Sequence, residues 1–374
     1  MRTLLCFVGL WSLLPGRLWA QPDSVGSIQR LEAVVQSGFI IPHSKELRPL
    51  AQTEPVGFEL TYSRVRPDRR AWDACNCFAR TGLYLSFVDY NNPAVLGQML
   101  SLGGFFEPLL AYRGRAGVSV RATGGLAYLS RVHDPVTNPD NVFFSLPVSA
   151  LLGLSLHLSY ALLPQLDLTA AAHYNHISNG GIRQPNKGMN FPTLAVGLAW
   201  QPRRVVFPDY RKDRRPLESR WAGRVQVFGS VNVLAATDRF PEVSRPLFGT
   251  ALTGLYRLNR FHALSLGTEV VADAAVRERI RRDGSDRRFG QVGLLAGYEL
   301  AQGRYRFGLQ FGYQVFHPGT PYSDRFYQRY QLLYAAARRL ELGIGLRATG
   351  HVAKGFDLRV GWALGHSVNR LMTE

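Results

Sequence analysis

The sequence predicts an all-β protein, an antiparallel transmembrane β-barrel of the outer-membrane type. Segments with alternating apolar and polar residues recur along most of the chain. After the N-terminal residues, no apolar run reaches the roughly 18 residues that a membrane helix needs. Amphipathic strands cannot span a bilayer with open edges, so strands of this kind must close into a barrel.

The alternation itself separates a membrane barrel from a soluble sheet. In residues 305–313 and 356–364 every second residue is apolar, and the residues between them include arginine, glutamine and glycine. A half-buried soluble sheet also alternates. An inward face of arginine and glycine opposite an entirely apolar outward face is more typical of a transmembrane barrel.

Residues 1–20 predict a secretory signal peptide. Arg2 supplies the positive start, an apolar stretch follows, and cleavage is expected near Ala20. The two cysteines that remain, Cys75 and Cys77, predict a structural loop feature such as a tight disulfide in an oxidising compartment. No pair of histidines or cysteines at metal-ligand spacing accompanies them, so neither a metal nor another cofactor is predicted.

The net charge is +17, and nearly all of the positive charge is arginine. Arginine binds phosphates through two parallel hydrogen bonds, which would suit the anionic lipopolysaccharide leaflet. Arginine-rich composition with solvated loops explains the charge equally well. Nucleic-acid binding is not expected, because an exported chain without a reader motif offers no support for it.

The strand segments predict how the chain is divided. About eight precede Trp200 and define a barrel region over residues 21–201; they start near residues 36, 55, 80, 96, 117, 147, 165 and 192. Residues 202–223 break the pattern with prolines and arginines and predict a linker. Residues 224–374 hold seven or eight further strands of unknown role. One barrel of about 14 to 16 strands is favoured over an eight-stranded unit plus a second β unit, because two closed barrels in one chain are unusual.

The end of the seventh segment carries the residues that suggest chemistry. His176 and Ser178 are two positions apart in a strand, so their side chains share the outward, lipid-facing side. An imidazole can activate a serine hydroxyl as a nucleophile. Asn179, Gly180 and Gly181 follow, and a tight turn there could direct backbone N–H groups at an oxyanion. Asn-Gly is also a strong hairpin signal, so a purely structural turn remains open.

The string HISNGGIRQPNKGMN, residues 176–190, resembles the signature of the outer-membrane lipid A 3-O-deacylases, an acyloxyacyl hydrolase-like family. The resemblance covers the first half of the chain. It implies a metal-free serine esterase of the Gram-negative outer membrane. The substrate would be lipid A, as part of lipopolysaccharide, and other outer-membrane lipids would surround the barrel. Its reaction would release the acyl chain ester-linked at position 3 of the proximal glucosamine.

The same resemblance implies roles for individual residues. His176 would be the general base and Ser178 the nucleophile. Asn179 with the Gly180 and Gly181 backbone would form the oxyanion region, and Asn186 is the second asparagine of the motif.

Asn190 departs from the family pattern, in which well-known members carry a glutamate at this position. An asparagine carbonyl can fix the imidazole tautomer but adds no negative charge. Three outcomes follow: Asn190 acts in a differently tuned site, an acid such as Asp89 or Glu107 substitutes, or the site is weak or inactive.

A different class of function competes with the esterase. The chain would then be a non-catalytic outer-membrane barrel, a structural protein or a passive pore, with a degenerate site. Whether the chain forms a homodimer is left open by the sequence.

Overall fold

The computed structural model describes residues 26–212, 217, 219–350 and 352–365. The predicted signal peptide lies outside these residues. Sixteen strands are present in the described part of the chain. They are β1 Ile28–Gly38, β2 Val56–Val65, β3 Ala79–Asp89, β4 Gln98–Arg113, β5 Ala116–Leu129, β6 Val148–Ala161, β7 Leu166–Ser178, β8 Met189–Trp200, β9 Trp221–Leu234, β10 Val243–Arg257, β11 His262–Asp273, β12 Gly290–Gln302, β13 Tyr305–Phe316, β14 Phe326–Ala335, β15 Leu340–Thr349 and β16 Val352–Leu364.

The strands form two closed antiparallel barrels of eight strands each, β1–β8 and β9–β16. The first closes where β1 pairs with β8, with Leu31 opposite Trp200. The second closes where β16 pairs with β9. The predicted all-β antiparallel barrel fold is therefore confirmed. The preference for one large barrel is wrong, because closure depends on pairing between distant strands, which local alternation does not encode.

The predicted strand starts agree closely with the structure, except for the first. Strand β1 begins at Ile28, not near residue 36. Its inward face carries Arg30 and Glu32, and its outward face is only weakly apolar, so the alternation is poorly visible in the sequence. Strand β9 begins at Trp221, within the predicted linker.

Helices are few and short in this fold. The α-helices α1 (Arg69–Asp73) and α2 (Ala274–Arg282) and a 3₁₀ turn at Lys45–Leu47 lie in connections between strands. None of the described helices has the length and apolarity to cross a membrane.

The connections define the two ends of the first barrel. Residues 39–55, 130–147 and 179–188 connect strands at one end, and the connections at 114–115 and 162–165 are short turns at the other. Outer-membrane barrels place their longer loops outside the cell and their short turns in the periplasm. The C-terminal end of β7 therefore lies at the extracellular end.

The lumen of the first barrel is filled by ion pairs. The Arg121 guanidinium contacts Glu32, Glu59 and Glu107 at 2.8, 3.3 and 2.8 Å. Arg80 also contacts Glu107, at 2.7 Å. Eight strands enclose a space just wide enough for side chains, so this network occupies the barrel interior.

The second barrel is filled in the same way. Arg224 is 1 % exposed and pairs with Glu299 and Glu341. Arg329 is also buried and pairs with Glu269 at 3.0 Å and with Asp357 at 2.7 Å. Both barrels therefore combine a lumen that contains paired charges with an apolar exterior.

Apolar clusters lie at both ends of the first barrel. At the extracellular end, loop residues such as Leu47, Phe143 and Phe144 are fully buried. At the periplasmic end, Val205 and Phe207 of the segment after β8 pack against Ile28 and Val65. In the α1 connection, Cys75 and Cys77 form a disulfide.

Candidate active site

The candidate site lies at the extracellular end of β7, on the outer surface of the first barrel. Leu168 and Tyr174, on the same face of the strand, are 42 % and 48 % exposed. His176 is half-buried, and Ser178 is only 3 % exposed because the following loop covers it. The two residues therefore share the membrane-facing side of the barrel at the level where the loops begin.

His176 is oriented by the strand beside it. Strand β8 places Asn190 directly opposite His176, and the His176 Nδ1–H donates to Asn190 Oδ1 over 2.7 Å. The backbone of Asn190 is held by Ile41, whose N–H donates to its carbonyl oxygen at 2.8 Å. This arrangement leaves Nε2 as the basic nitrogen of the ring.

Two N–H groups converge on the Ser178 hydroxyl. Its Oγ accepts from the backbone N of Gly180 at 3.1 Å and from Asn186 Nδ2 at 3.0 Å. Among the described residues, no hydrogen bond joins His176 to Ser178. In ligand-free enzymes the hydrogen bonds of a catalytic group are commonly long and tighten when substrate binds.

Asn179 holds the loop together. Its side-chain Nδ2 donates to Ser145 Oγ and to the carbonyl of Arg183, both at 2.9 Å. Its Oδ1 accepts from the Gly181 N–H at 2.9 Å. The backbone N of Asn179 donates to Asn186 Oδ1 at 3.2 Å, which turns the Asn186 amide nitrogen toward Ser178. In this state Gly180, rather than Asn179 or Gly181, presents its N–H at the hydroxyl.

Gly188 and Ser145 belong to the site but carry no signal in the sequence pattern. Gly188 has a φ of +69°, and a Cβ there would lie 3.1 Å from His176 Cε1. Its N–H donates to the carbonyl of Phe143 at 3.3 Å, which ties the β7–β8 loop to the neighbouring loop. A side chain at position 188 would strain the backbone and crowd the imidazole.

The two acids considered as substitutes are engaged elsewhere. Asp89 accepts from the N–H of Asn91 and from Gln98 Nε2. Glu107 is buried in the lumen between arginines. Neither is hydrogen-bonded to His176 in the described residues, and those residues include no cluster of three metal-ligating side chains.

A second Ser–His pair lies inside the first barrel. Ser155 Oγ and His157 Nε2 are 2.9 Å apart, but both face the lumen and are buried beside the ion-pair network. A lipid ester at the membrane surface has no route to this pair. No pattern in the sequence marks this pair as a site.

The comparisons with known proteins cover both halves of the chain. Residues 57–199 match the family model "Lipid A 3-O-deacylase (PagL)", and residues 221–366 match "Acyloxyacyl hydrolase, C-terminal domain". The first half of the chain belongs to the lipid A 3-O-deacylase family, and the second half is a C-terminal domain of the acyloxyacyl hydrolase type. This identification confirms the resemblance drawn from residues 176–190.

The family assignment also gives the location and the general class of the protein. It is a β-barrel of the Gram-negative outer membrane, in a family of hydrolases that deacylate lipid A.

Two solved structures are similar to part of this chain. Neisserial surface protein A is similar over 46 % of this chain and 96 % of its own, with 16 % identity and a TM-score of 0.32. The outer-membrane enzyme PagL is similar over 45 % of this chain and 97 % of its own, with 15 % identity and a TM-score of 0.31. No curated protein matches the chain.

Proposed function

We propose that the first barrel is a serine esterase that removes an ester-linked acyl chain from lipid A, with Ser178 as nucleophile and His176 as general base. The resemblance implies the chain at position 3 of the proximal glucosamine. The observation that carries the proposal is the pair of N–H donors on the Ser178 hydroxyl, beside an oriented imidazole, on the membrane-facing side of the barrel.

The reaction proceeds in two halves. Ser178 Oγ bonds to the acyl carbonyl carbon while its proton passes to His176 Nε2. The intermediate then collapses, the bond to the sugar oxygen breaks, and that oxygen takes the proton from His176. Water attacks the resulting acyl-serine by the reverse proton path, which releases the fatty acid and restores the hydroxyl.

The N–H groups around Ser178 supply the electrostatic part of catalysis. When substrate displaces them from the hydroxyl, Gly180 N and Asn186 Nδ2 are close enough to donate to the developing oxyanion. Both are held before substrate arrives, Gly180 by the turn and Asn186 by Asn179.

Asn190 fixes the imidazole without a carboxylate. Its Oδ1 accepts the Nδ1 proton and so selects the tautomer in which Nε2 faces the reaction. A neutral partner stabilises the imidazolium less than a carboxylate would, which predicts an active enzyme with modest turnover rather than an inactive one.

The filled lumens argue against the competing pore. Charged side chains of both barrels pair across the interior. A cavity in the first lumen, beside Tyr84 and His173, has a volume of about 10 Å³, room for about one water molecule. These ion pairs occupy the interiors through which a passive channel would need a continuous aqueous path.

The test is mass spectrometry of lipid A incubated in detergent with the wild-type protein, with Ser178→Ala and with Ser155→Ala. Ser155→Ala is the matched control, because it removes a buried serine that does hydrogen-bond a histidine. We expect loss of one hydroxyacyl mass with wild type and with Ser155→Ala, and none with Ser178→Ala. Deacylation by a folded Ser178→Ala protein, or none by wild type, would contradict the proposal.

A further inference from the structure

The second barrel contacts the loop that carries the candidate site. The ring of Phe356, in β16, lies directly against Gly180, so that a Cβ at Gly180 would collide with it. A Cβ at Gly181 would lie 3.1 Å from the carbonyl oxygen of Lys354. A second contact lies at the periplasmic end, where the Gly303 N–H donates to the carbonyl of Ala74 at 3.3 Å. The barrels thus stand side by side and meet at both ends.

The extracellular contact falls on a donor of the candidate site. Gly180 has a φ of +66° and Gly181 one of +81°, which are left-handed conformations that glycine adopts without steric cost. The N–H of Gly180 donates to Ser178 Oγ on one side of this turn, while Phe356 closes the other side. The position of that N–H therefore depends on a residue of the second barrel.

Phe356 differs from its neighbours on the same face of β16. It is half-buried, whereas Leu358 is 73 % exposed and Val360 is 46 % exposed. The strand end that carries it is anchored: the Ser230 hydroxyl donates to the Phe356 carbonyl, and Lys354 Nζ pairs with Asp324 at 3.2 Å. Phe356 is thus the residue through which this end of β16 contacts the turn.

We propose that Phe356 is a positioning residue of the active site, and that the second barrel serves to brace the Gly180–Gly181 turn so that the Gly180 N–H stays directed at the reacting oxygen. This inference rests on the proposed esterase function. It assigns a positioning role to the second barrel, whose other described residues contribute no group to the site described above.

The physical argument is one of preorganisation. Two consecutive glycines make a turn with many accessible conformations, so an unsupported Gly180 amide would sample several directions. An oxyanion donor contributes most when it is already fixed where charge develops. A ring packed against the glycine removes the alternative conformations without touching the substrate.

The test compares Phe356→Ala with Leu358→Ala in the full chain. Leu358 is the matched control, since it is an exposed apolar residue on the same face and strand and is two positions from the contact. Two quantities are measured: kcat and KM for lipid A, and the rate at which a small water-soluble phosphonate modifies Ser178. The small reagent reports on the serine and its donors without needing to bind an acyl chain.

We expect Phe356→Ala to lower both kcat and the modification rate by about tenfold, a fraction of the effect of deleting an oxyanion donor. We expect KM to change by less than about twofold. Leu358→Ala should match wild type, and Phe356→Leu should recover most of the rate. A wild-type modification rate in folded Phe356→Ala would overturn the inference, even if lipid A turnover fell, because that pattern marks a lipid-binding wall.

A reciprocal pair of variants tests the contact even if Phe356→Ala folds poorly. Gly180→Ala should lower activity because its methyl group meets the Phe356 ring. Adding Phe356→Leu to Gly180→Ala should then lower activity less than Phe356→Leu lowers it in the wild type. The effects of substitutions at two residues in contact are not additive. Full additivity would contradict the contact. If wild-type Ser178 reacts with no phosphonate at all, the esterase proposal fails, and this inference fails with it.

Discussion

The two barrels of this chain share an architecture but differ at their last hairpin. In the first, β7 and β8 are joined by residues 179–188, whereas in the second, β15 and β16 are joined by residues 350 and 351. The longer connection carries the turn at Gly180 and the Asn186 amide that face Ser178. Phe356, in β16, lies against that turn. The two eight-stranded barrels thus differ in the residues at their extracellular rims.

Unlike the rims, the lumens of the two barrels resemble each other. Arg121 lies among three glutamates in the first barrel, and Arg224 lies between two in the second. In the described residues of both barrels, these charged side chains are buried and paired in the interior. We therefore expect stability to depend on both lumens, and we propose that the chemistry depends on the extracellular rim of the first barrel alone.

The largest difference between the two barrels is expected when their extracellular histidines are replaced. Each barrel has an extracellular histidine near a serine; in the second, His317 Nδ1 lies 3.0 Å from Ser323 Oγ. Burial and the nearby Arg325 lower the pKa of His317. Arg325 also opposes the positive charge that a general base must acquire. We predict that His176→Ala lowers lipid A deacylation by about 10²- to 10⁴-fold and that His317→Ala leaves it unchanged. Loss of activity in His317→Ala would place chemistry in the second barrel.

Stability should respond to either lumen. Arg224→Met removes the guanidinium that pairs with both Glu299 and Glu341, and removing one member of a buried ion pair costs about 3–5 kcal/mol. We expect the variant to unfold at a lower urea concentration than the wild type. Unfolding is followed by the loss of the heat-modifiable gel mobility that marks a folded barrel. Arg121→Met should have a similar effect, and a large difference between the two would show that the barrels do not share one stabilising design.

Asn190 offers a way to sharpen the account of the first rim. Asn190→Asp keeps the size of the side chain and its acceptor toward His176 Nδ1 while adding the charge that stabilises an imidazolium. We predict a rise in kcat of about tenfold, well below the 10⁴-fold scale seen for acid loss in serine triads. Asn190→Leu, which removes the acceptor, should lower kcat. A lower kcat for Asn190→Asp than for the wild type would show that His176 requires a neutral partner.

The smallest effect is expected at the disulfide. The Cys75–Cys77 bond closes a very short loop in the periplasmic connection that follows α1. Chain-entropy arguments give such a loop less than about 2 kcal/mol. Cys75→Ser with Cys77→Ser should therefore keep wild-type deacylation and nearly wild-type unfolding in urea. A marked loss of activity would connect this end of the barrel, and the Ala74–Gly303 contact beside it, to the site.

Local alternation was enough to locate most strands but not to close the sheets. The start of β5, expected near residue 117, is at Ala116, and that of β7, expected near 165, is at Leu166. Alternation reports which face each side chain takes, and that assignment does not change when the start of the strand moves by one residue. Which strands form the closing pair depends on contacts such as Leu31 with Trp200, and no local pattern contains that information.

The candidate site divides in the same way. The shared face of His176 and Ser178 follows from their spacing in a strand, and the structure places both on the outer side of β7. The pairing of His176 with Asn190 depends on the register between β7 and β8. The contact of Phe356 with Gly180 joins residues from different barrels. Such long-range contacts leave no trace in composition or spacing.

The central claim is that one serine, at the lipid-facing rim of the first barrel, does the chemistry. The most direct measurement is to treat the full-length protein with a serine-reactive phosphonate in detergent and to map the adduct by tandem mass spectrometry. We predict a single adduct on Ser178, absent from His176→Ala, with Ser155 and Ser323 unmodified. An adduct on Ser323 or Ser155, or equal modification of Ser178 in His176→Ala, would contradict the account.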